Sequence, residues 1–159
     1  LRTAAVLLHM FLMFIGASPG STGGGVKTST FGVVVAFIRA KIAARDSVQL
    51  FYRTIPQSNV VKAFTVILLS MSLIFMAGFI VLVSQPGMLM KEVFYEVFSG
   101  FGTVGLSLGV TPRLNSLNKS MIILVMYAGR IGPLTLLLAF SRRRALGKYE
   151  YVEENVLIG

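Results

Sequence analysis

Cysteine is absent from the 159 residues, so the chain holds neither a disulfide framework nor a thiolate metal site. Charge is scarce as well. Asp, Glu, Lys and Arg make up 13% of the residues, where a soluble domain carries about 25%. Acids are the rarest of these, six against fifteen Lys and Arg, and there is one histidine. No Ser/His/Asp set, no paired carboxylates in a cleft and no metal-spaced His cluster is found, so nothing in the sequence reads as an enzyme. The net charge of +9 would suit nucleic acid, but the basic residues stand in blocks beside apolar runs. That is the positive-inside pattern, and no aromatic-basic platform of the single-strand-binding kind accompanies it, so no nucleic-acid partner is expected. What is plentiful is apolar sequence: 55% of residues are hydrophobic and the mean hydropathy is +0.79. The chain reads as a membrane protein in contact with lipid.

The apolar runs set the organisation. Residues 3–15 and 31–38 are two apolar pieces, each too short to span, separated by a glycine-rich insert. The simplest reading is one transmembrane helix broken in its middle, residues 1–45, with an intramembrane loop at 16–27. Residues 46–59 then form a connection in a stretch carrying Arg39, Lys41, Arg45, Arg53 and Lys62 against Asp46, which places it in the cytoplasm. Pro56-Gln57-Ser58-Asn59 reads as a turn. Residues 63–83 are twenty-one uncharged residues, a full span, closed by the turn chemistry of Ser84-Gln85-Pro86-Gly87. Residues 120–141 form a second span, interrupted by Arg130 and Gly132-Pro133 and followed by Arg142-Arg143-Arg144. Residues 142–159 are a cytoplasmic tail, so both basic blocks lie on one side and the loops between the spans face outward. Leu1 opens inside an apolar run, and the chain is expected to be part of a longer polypeptide.

Between the two spans lies the most informative stretch. Residues 92–101 are a ten-residue, mostly apolar segment that runs into Gly102-Thr103-Val104-Gly105-Leu106-Ser107. Ten helical residues cover about 15 Å, half of a hydrocarbon core of about 30 Å, so the segment must enter and leave on one side. Irregular backbone at that depth survives where it is buried in protein or lines a water-filled cavity. Thr103, Val104, Gly105 and Leu106 are therefore candidates for a cation filter in which backbone carbonyls, those of Thr103, Val104 and Gly105 foremost, replace the water around K⁺. Gly105 carries no Cβ to obstruct that placement, and the half-helix would turn its partly negative end toward the ion. The expected fold class is thus all-α: a broken transmembrane helix followed by a helix–pore-loop–helix unit over residues 60–141.

The insert Gly16, Ala17, Ser18, Pro19, Gly20, Ser21, Thr22, Gly23, Gly24, Gly25, Val26, Lys27 nearly fits a phosphate loop, with Gly20 and Gly25 correctly spaced. Val26 intrudes before Lys27 and no strand precedes it, so no nucleotide is expected on this chain. A flexible gate beneath the filter is favoured over a passive kink. Arg130, at an insertion cost of about 2.5–3.5 kcal/mol, should face the protein interior and find a partner, with carbonyls of the 16–25 loop as one candidate and an acid elsewhere in the longer polypeptide as another. A packing role and a barrier to the permeating cation stand side by side for it. His9 reads as a hydrogen-bonded packing residue rather than a ligand. Glu92 and Glu96 sit one turn apart, either raising the cation concentration at the outer mouth or forming a solvated, dipole-favoured helix start.

Taken in order, residues 16–28, then Gly102-Thr103-Val104-Gly105-Leu106-Ser107, then Gly129-Arg130-Ile131-Gly132-Pro133 resemble the C-terminal part of the KtrB/TrkH/HKT superfamily of potassium transporters. The KtrB type fits best, because the sequence closes soon after the last helix with Glu-Asn-Val-Leu-Ile-Gly. The resemblance implies a subunit of four helix–pore–helix repeats around one pore, of which this chain holds the inner helix of the third and all of the fourth. It further implies a gate loop at residues 16–27, filter carbonyls from Thr103 to Leu106, and Arg130 touching the gate region. The implied partners are the other three repeats, a homodimeric mate and a cytoplasmic nucleotide-binding ring of the KtrA/TrkA type. The implied cargo is K⁺, with Na⁺ as a candidate modulator, at the plasma membrane. Three rivals remain open: a tetrameric K⁺ channel-like pore unit, which usually carries Thr-Val-Gly-Tyr-Gly, a broken-helix secondary transporter, which wants a midplane acid, and a membrane-embedded scaffold without transport, which wants a dry filter region.

Overall fold

The computed structural model describes residues 2–45, 47–50, 53–133 and 135. The expected tail at 142–159, with its triple-arginine block, and residues 136–141 of the last span lie outside them.

Helix α1 (Thr3–Phe14) is a run of apolar residues that stops where Gly16 and Pro19 make helix untenable, and α2 (Thr28–Ile42) begins once the glycines end. The ends of the break are brought together. Ile15 and Val26 form a parallel bridge, with Gly16 N–H donating to Val26 O (2.7 Å) and Val26 N–H to Phe14 O (3.0 Å). After α2 the chain makes a two-rung hairpin, β1 (Gln49–Leu50) and β2 (Arg53–Thr54), with Gln49 opposite Thr54. An all-α reading passed over it, since two residues per strand carry no periodicity. Helix α3 (Gln57–Ser84) follows. Its 28 residues reach about 42 Å, and among the described residues it is the one helix long and apolar enough to cross a membrane. The turn expected at residues 56–59 is instead the start of α3: Pro56, at φ −58°, precedes the first helical residue, and its carbonyl accepts from Asn59 and Val60 N–H. A proline there loses no intrahelical bond, because the N–H groups of a helix's first turn have no partner.

Helix α4 (Met90–Gly102) has 13 residues, about 20 Å. It is buried around most of its circumference: Val93, Phe94, Tyr95, Glu96, Val97, Ser99, Gly100, Phe101 and Gly102 are all covered. An extended segment and a 3₁₀ turn (Thr111–Arg113) lead to α5 (Ser116–Ile131), whose N-terminus is capped by the Asn115 side chain accepting from Asn118 N–H at 2.8 Å. Helices α1, α3 and α5 all pack on α4, so the shortest helix is the centre of the core. Small residues let it in: Gly78 of α3 leaves room for the Phe94 ring, 2.8 Å from where a Cβ would stand. The outer faces are a different matter. Leu7, Leu8, Leu68, Phe79, Ile123 and Leu124 are exposed on the three surrounding helices, which on an isolated soluble domain would be an unusually large apolar surface.

Candidate functional site

The C-terminal end of α4 is the point where the broken helix, the extended segment and α5 meet. Thr103 closes α4 in the left-handed conformation (φ 54°, ψ 36°). Its N–H donates to Gly100 O (3.1 Å) and the Val104 N–H to Ser99 O (3.0 Å), the Schellman pattern that normally ends on glycine. A β-branched residue in that region is a true outlier and carries about 1–3 kcal/mol of strain. The surroundings hold it. The Thr103 hydroxyl accepts the Gly24 N–H at 2.7 Å, a bond between the break loop and the end of α4.

Glycines allow that approach. A Cβ on Gly24 would stand 2.8 Å from Phe101 O and 2.7 Å from Thr103 Cγ2. A Cβ on Gly129 of α5 would fall on the same Phe101 oxygen, and one on Gly102 would meet Met13 O of α1. Gly25 N–H donates to Gly129 O at 3.2 Å. Three backbone strands from separate parts of the sequence are thus in van der Waals contact around Phe101, which is itself fully buried and stacked on Phe14 with ring centroids 6.2 Å apart.

The loop is tied within itself as well. Lys27 Nζ donates to Gly23 O at 2.7 Å and to Ser21 O at 3.3 Å, and Thr28 N–H reaches Ala17 O at 3.3 Å. Gly16, Ala17 and Gly23 are half-buried, Gly24 and Gly25 are buried, and Ser18, Pro19, Gly20, Ser21 and Thr22 are exposed at the tip.

Beyond Thr103 the backbone has no regular structure and is exposed through Ser107. Gly105 has φ 82°, and no atom lies within 4 Å of the place where its Cβ would be. That φ demands glycine even though space does not. Among the described residues no donor reaches the carbonyl oxygens of Thr103, Val104, Gly105 or Leu106. Four successive acceptors are therefore left for a partner supplied from outside these residues. The negative end of α4's dipole lies at the start of this segment.

The far end of the segment is clamped by Glu96. Its side chain is buried rather than solvated, at 7% exposure. One carboxyl oxygen accepts from Ser107 Oγ at 2.7 Å and the other from Thr111 Oγ1. Ser107 Oγ in turn accepts Gly109 N–H at 3.0 Å. The sequence reading missed this because a glutamate one turn from Glu92 looks like half of a solvated pair. The usable signal was the pair of hydroxyl residues just beyond the glycine segment. Glu92 does behave as a surface residue, in a 3.3 Å ion pair with exposed Arg113 that adds little stability.

Arg130 is exposed on this chain, and among the described residues no hydrogen bond joins its side chain to the 16–25 loop. The last helix touches the loop through the residue before it, Gly129, by backbone alone. The reason is geometric: consecutive helical residues point about 100° apart, so a buried Gly129 turns Arg130 away. His9 lies with Nδ1 3.3 Å from the Tyr95 hydroxyl, between α1 and α4.

The chain is similar to known proteins over nearly all of its length. Residues 1–150 match the TrkH family model, described as a cation transport protein. The potassium/sodium uptake protein NtpJ of Enterococcus hirae is 38% identical across 98% of this chain and 36% of its own length. The Ktr system potassium uptake protein D of Bacillus subtilis is 39% identical across 93% of this chain and 33% of its own. The Ktr system potassium uptake protein B of Vibrio alginolyticus is 37% identical across 98% and 34%. The chain spans about a third of the length of the curated relatives it matches. What these define is a mostly helical chain of a cation transport family. The chain belongs to the TrkH cation transport family, and the relatives it is similar to are Ktr and NtpJ uptake proteins.

Proposed function

We propose that this chain supplies part of the conducting path of a bacterial potassium uptake protein. In this reading α3, α4, the extended segment and α5 form a helix–pore helix–filter–helix unit, multi-pass in the plasma membrane, with the filter opening outward and residues 39–62 and the C-terminus in the cytoplasm. The carbonyls of Thr103, Val104, Gly105 and Leu106 would take the place of water around K⁺. The loop 16–27 would gate the path from below, Lys27 holding its carbonyls together and Arg130 facing the path as a cationic barrier. The remaining three repeats, a homodimeric mate and a cytoplasmic nucleotide-binding ring would complete the system, with Na⁺ as a modulator. The word system in two relatives' names, and sodium in a third's, support a multi-component, K⁺-linked assembly.

The observation that carries the reading is the run of four unclaimed, exposed carbonyls that starts at the negative end of a buried half-length helix. A dehydrated cation matches that chemistry, as do water and N–H or O–H donors from the rest of the polypeptide, and the negative helix end favours the cation. The test is potassium uptake by the full-length protein in cells that lack their own uptake systems. Replacing Gly105 with Ser, which opposes a φ of 82°, should lower K⁺ affinity or admit Na⁺. Unchanged affinity and ion preference would remove the filter from the account. Deleting residues 20–25 should raise flux, and a normal or reduced flux at normal expression would make the loop a kink.

A further inference from the structure

We propose that the Thr103 side chain is a positioning residue that makes the break loop and the extended segment move as one body. The inference rests on the reading above for its consequence in transport, but its physical basis is independent of the ion. Filter function asks only for Thr103's carbonyl. The structure engages its hydroxyl, in a 2.7 Å bond from Gly24 N–H that joins residues 79 apart in sequence.

Three features give that bond more weight than an ordinary surface contact. Thr103 occupies a left-handed conformation (φ 54°) that a β-branched residue avoids, at a position where the Schellman pattern would favour glycine. Threonine there is costly unless its side chain contributes something glycine lacks, and the hydroxyl is the one polar atom it adds. Second, the donor is buried: Gly24 is covered, and leaving its N–H without an acceptor carries a desolvation penalty. Third, Gly24 has no room for a side chain against Phe101 O and Thr103 Cγ2, so the loop backbone, and not a mobile side chain, makes the contact. A loop that swings away must break this bond, expose Gly24 N–H and release Thr103 from its strained state. Its carbonyl then reorients at the inner end of the extended segment. The converse holds by linkage: whatever fixes the Thr103 carbonyl favours the seated loop.

The test uses full-length protein, otherwise free of cysteine, with Val26→Cys as a reporter. Val26 lies at the end of the loop at 1% exposure, so a thiol there reacts with a water-soluble maleimide only when the loop leaves its seat. Thr103→Val removes the acceptor at constant shape and constant backbone strain, Thr103→Ser keeps it, and Thr103→Ala is the hydroxyl-free counterpart of the serine variant. A net hydrogen bond is worth roughly a factor of five in the open population. Thr103→Val should therefore label about fivefold faster than the parent, Thr103→Ser within twofold of it, and Thr103→Ala about fivefold faster than Thr103→Ser. Should Thr103→Val fail to fold, the alanine variant against the serine variant carries the same comparison. In uptake, the two fast-labelling variants should show a higher maximal rate together with weaker preference for K⁺ over Na⁺. Equal labelling of all four proteins overturns the proposal. So does faster labelling with unaltered ion preference, since loop and segment would then move separately. Faster labelling in a protein that moves no K⁺ at all supports the tie and overturns the potassium reading instead.

Discussion

Gly24→Ala isolates the packing of the loop on the end of α4. Gly24 has an ordinary negative-region backbone, so alanine introduces no backbone strain, and by restricting the unfolded chain it would stabilise an open site by about 0.4–1 kcal/mol. Here the site is closed. The new methyl would stand 2.7 Å from Thr103 Cγ2 and 2.8 Å from Phe101 O, against an ordinary contact of 3.4 Å or more. The loop must retreat by about 0.6 Å, and Phe101 cannot yield because its carbonyl is pressed from the other side by Gly129. Overpacking of this degree costs about 1–3 kcal/mol. The same retreat stretches the 2.7 Å bond from Gly24 N–H to Thr103 Oγ1 toward the weak end of the hydrogen-bond range. Net of the entropic gain, the seated loop loses about 1–2 kcal/mol, which raises the unseated population roughly five- to thirtyfold where the seated form predominates. The expected outcome is a faster maximal K⁺ uptake with poorer affinity in the full-length protein, and a Tm lowered by a few degrees. Gly32→Ala is the matched control. Gly32 lies in α2 with nothing within 4 Å of its Cβ position, so alanine there should stabilise by about 0.5–1 kcal/mol and leave uptake alone. If Gly24→Ala matches Gly32→Ala in both Tm and uptake, the close seating of the loop on α4 is wrong.

Glu96→Ala should lower Tm and weaken K⁺ affinity severalfold, because Ser107 and Thr111 lose their shared acceptor, whereas Glu96→Gln, keeping one carbonyl oxygen, should sit between; indistinguishable affinities across the three proteins would refute the clamp. Asn115→Ala removes the cap of α5 and should destabilise by about 1 kcal/mol, read as a fall in Tm with ion preference intact. Gly78→Leu should reduce folded yield, since the Phe94 ring occupies the space and α4 has no other place to lie, while Gly78→Ala should be milder because the ring can swing.

How much of this could be read in the sequence differs by kind of interaction. The long apolar run at residues 63–83 lies within α3, Gln57–Ser84, because hydropathy over twenty residues is a sum that local context hardly changes. The half-length segment at 92–101 lies within α4, Met90–Gly102. Its burial on nearly all sides does not follow from its own residues, since it depends on three neighbours that arrive from elsewhere in the chain. Charges were the hardest to place. Glu96 and Glu92 are alike in sequence and one turn apart, yet one is covered and the other paired at the surface. The difference arises because Ser107 and Thr111 fold back over one side of the helix, a tertiary event with no local periodicity. For Arg130, the direction on α5 that faces the loop belongs to Gly129, so a partner for its exposed side chain has to come from outside the described residues.

The glycines illustrate why the same residue type needs two arguments. Gly105 is required by conformation: its φ of 82° excludes other residues although no atom crowds it. Gly24, Gly102 and Gly129 have no positive φ and are required by contact, each leaving room for a backbone carbonyl of another element. A sequence reader sees glycine in both cases and infers flexibility. The structure separates them. The three contact glycines remove freedom, since they let α1, the loop and α5 close on the end of α4 at backbone distance, where packing is stiff. The extended segment therefore starts from a rigid point and ends at the Glu96 clamp, leaving the intervening residues 104–106 as the part whose carbonyls can adjust. Substitution should sort the two groups by measurement. Alanine at Gly102 or Gly129 should act first on stability through overpacking, and alanine at Gly105 should lower Tm less, by backbone strain of about 1–2 kcal/mol alone, while shifting ion preference. Equal loss of Tm at all three positions would mean that the segment is held by packing throughout and offers no adjustable stretch to an ion.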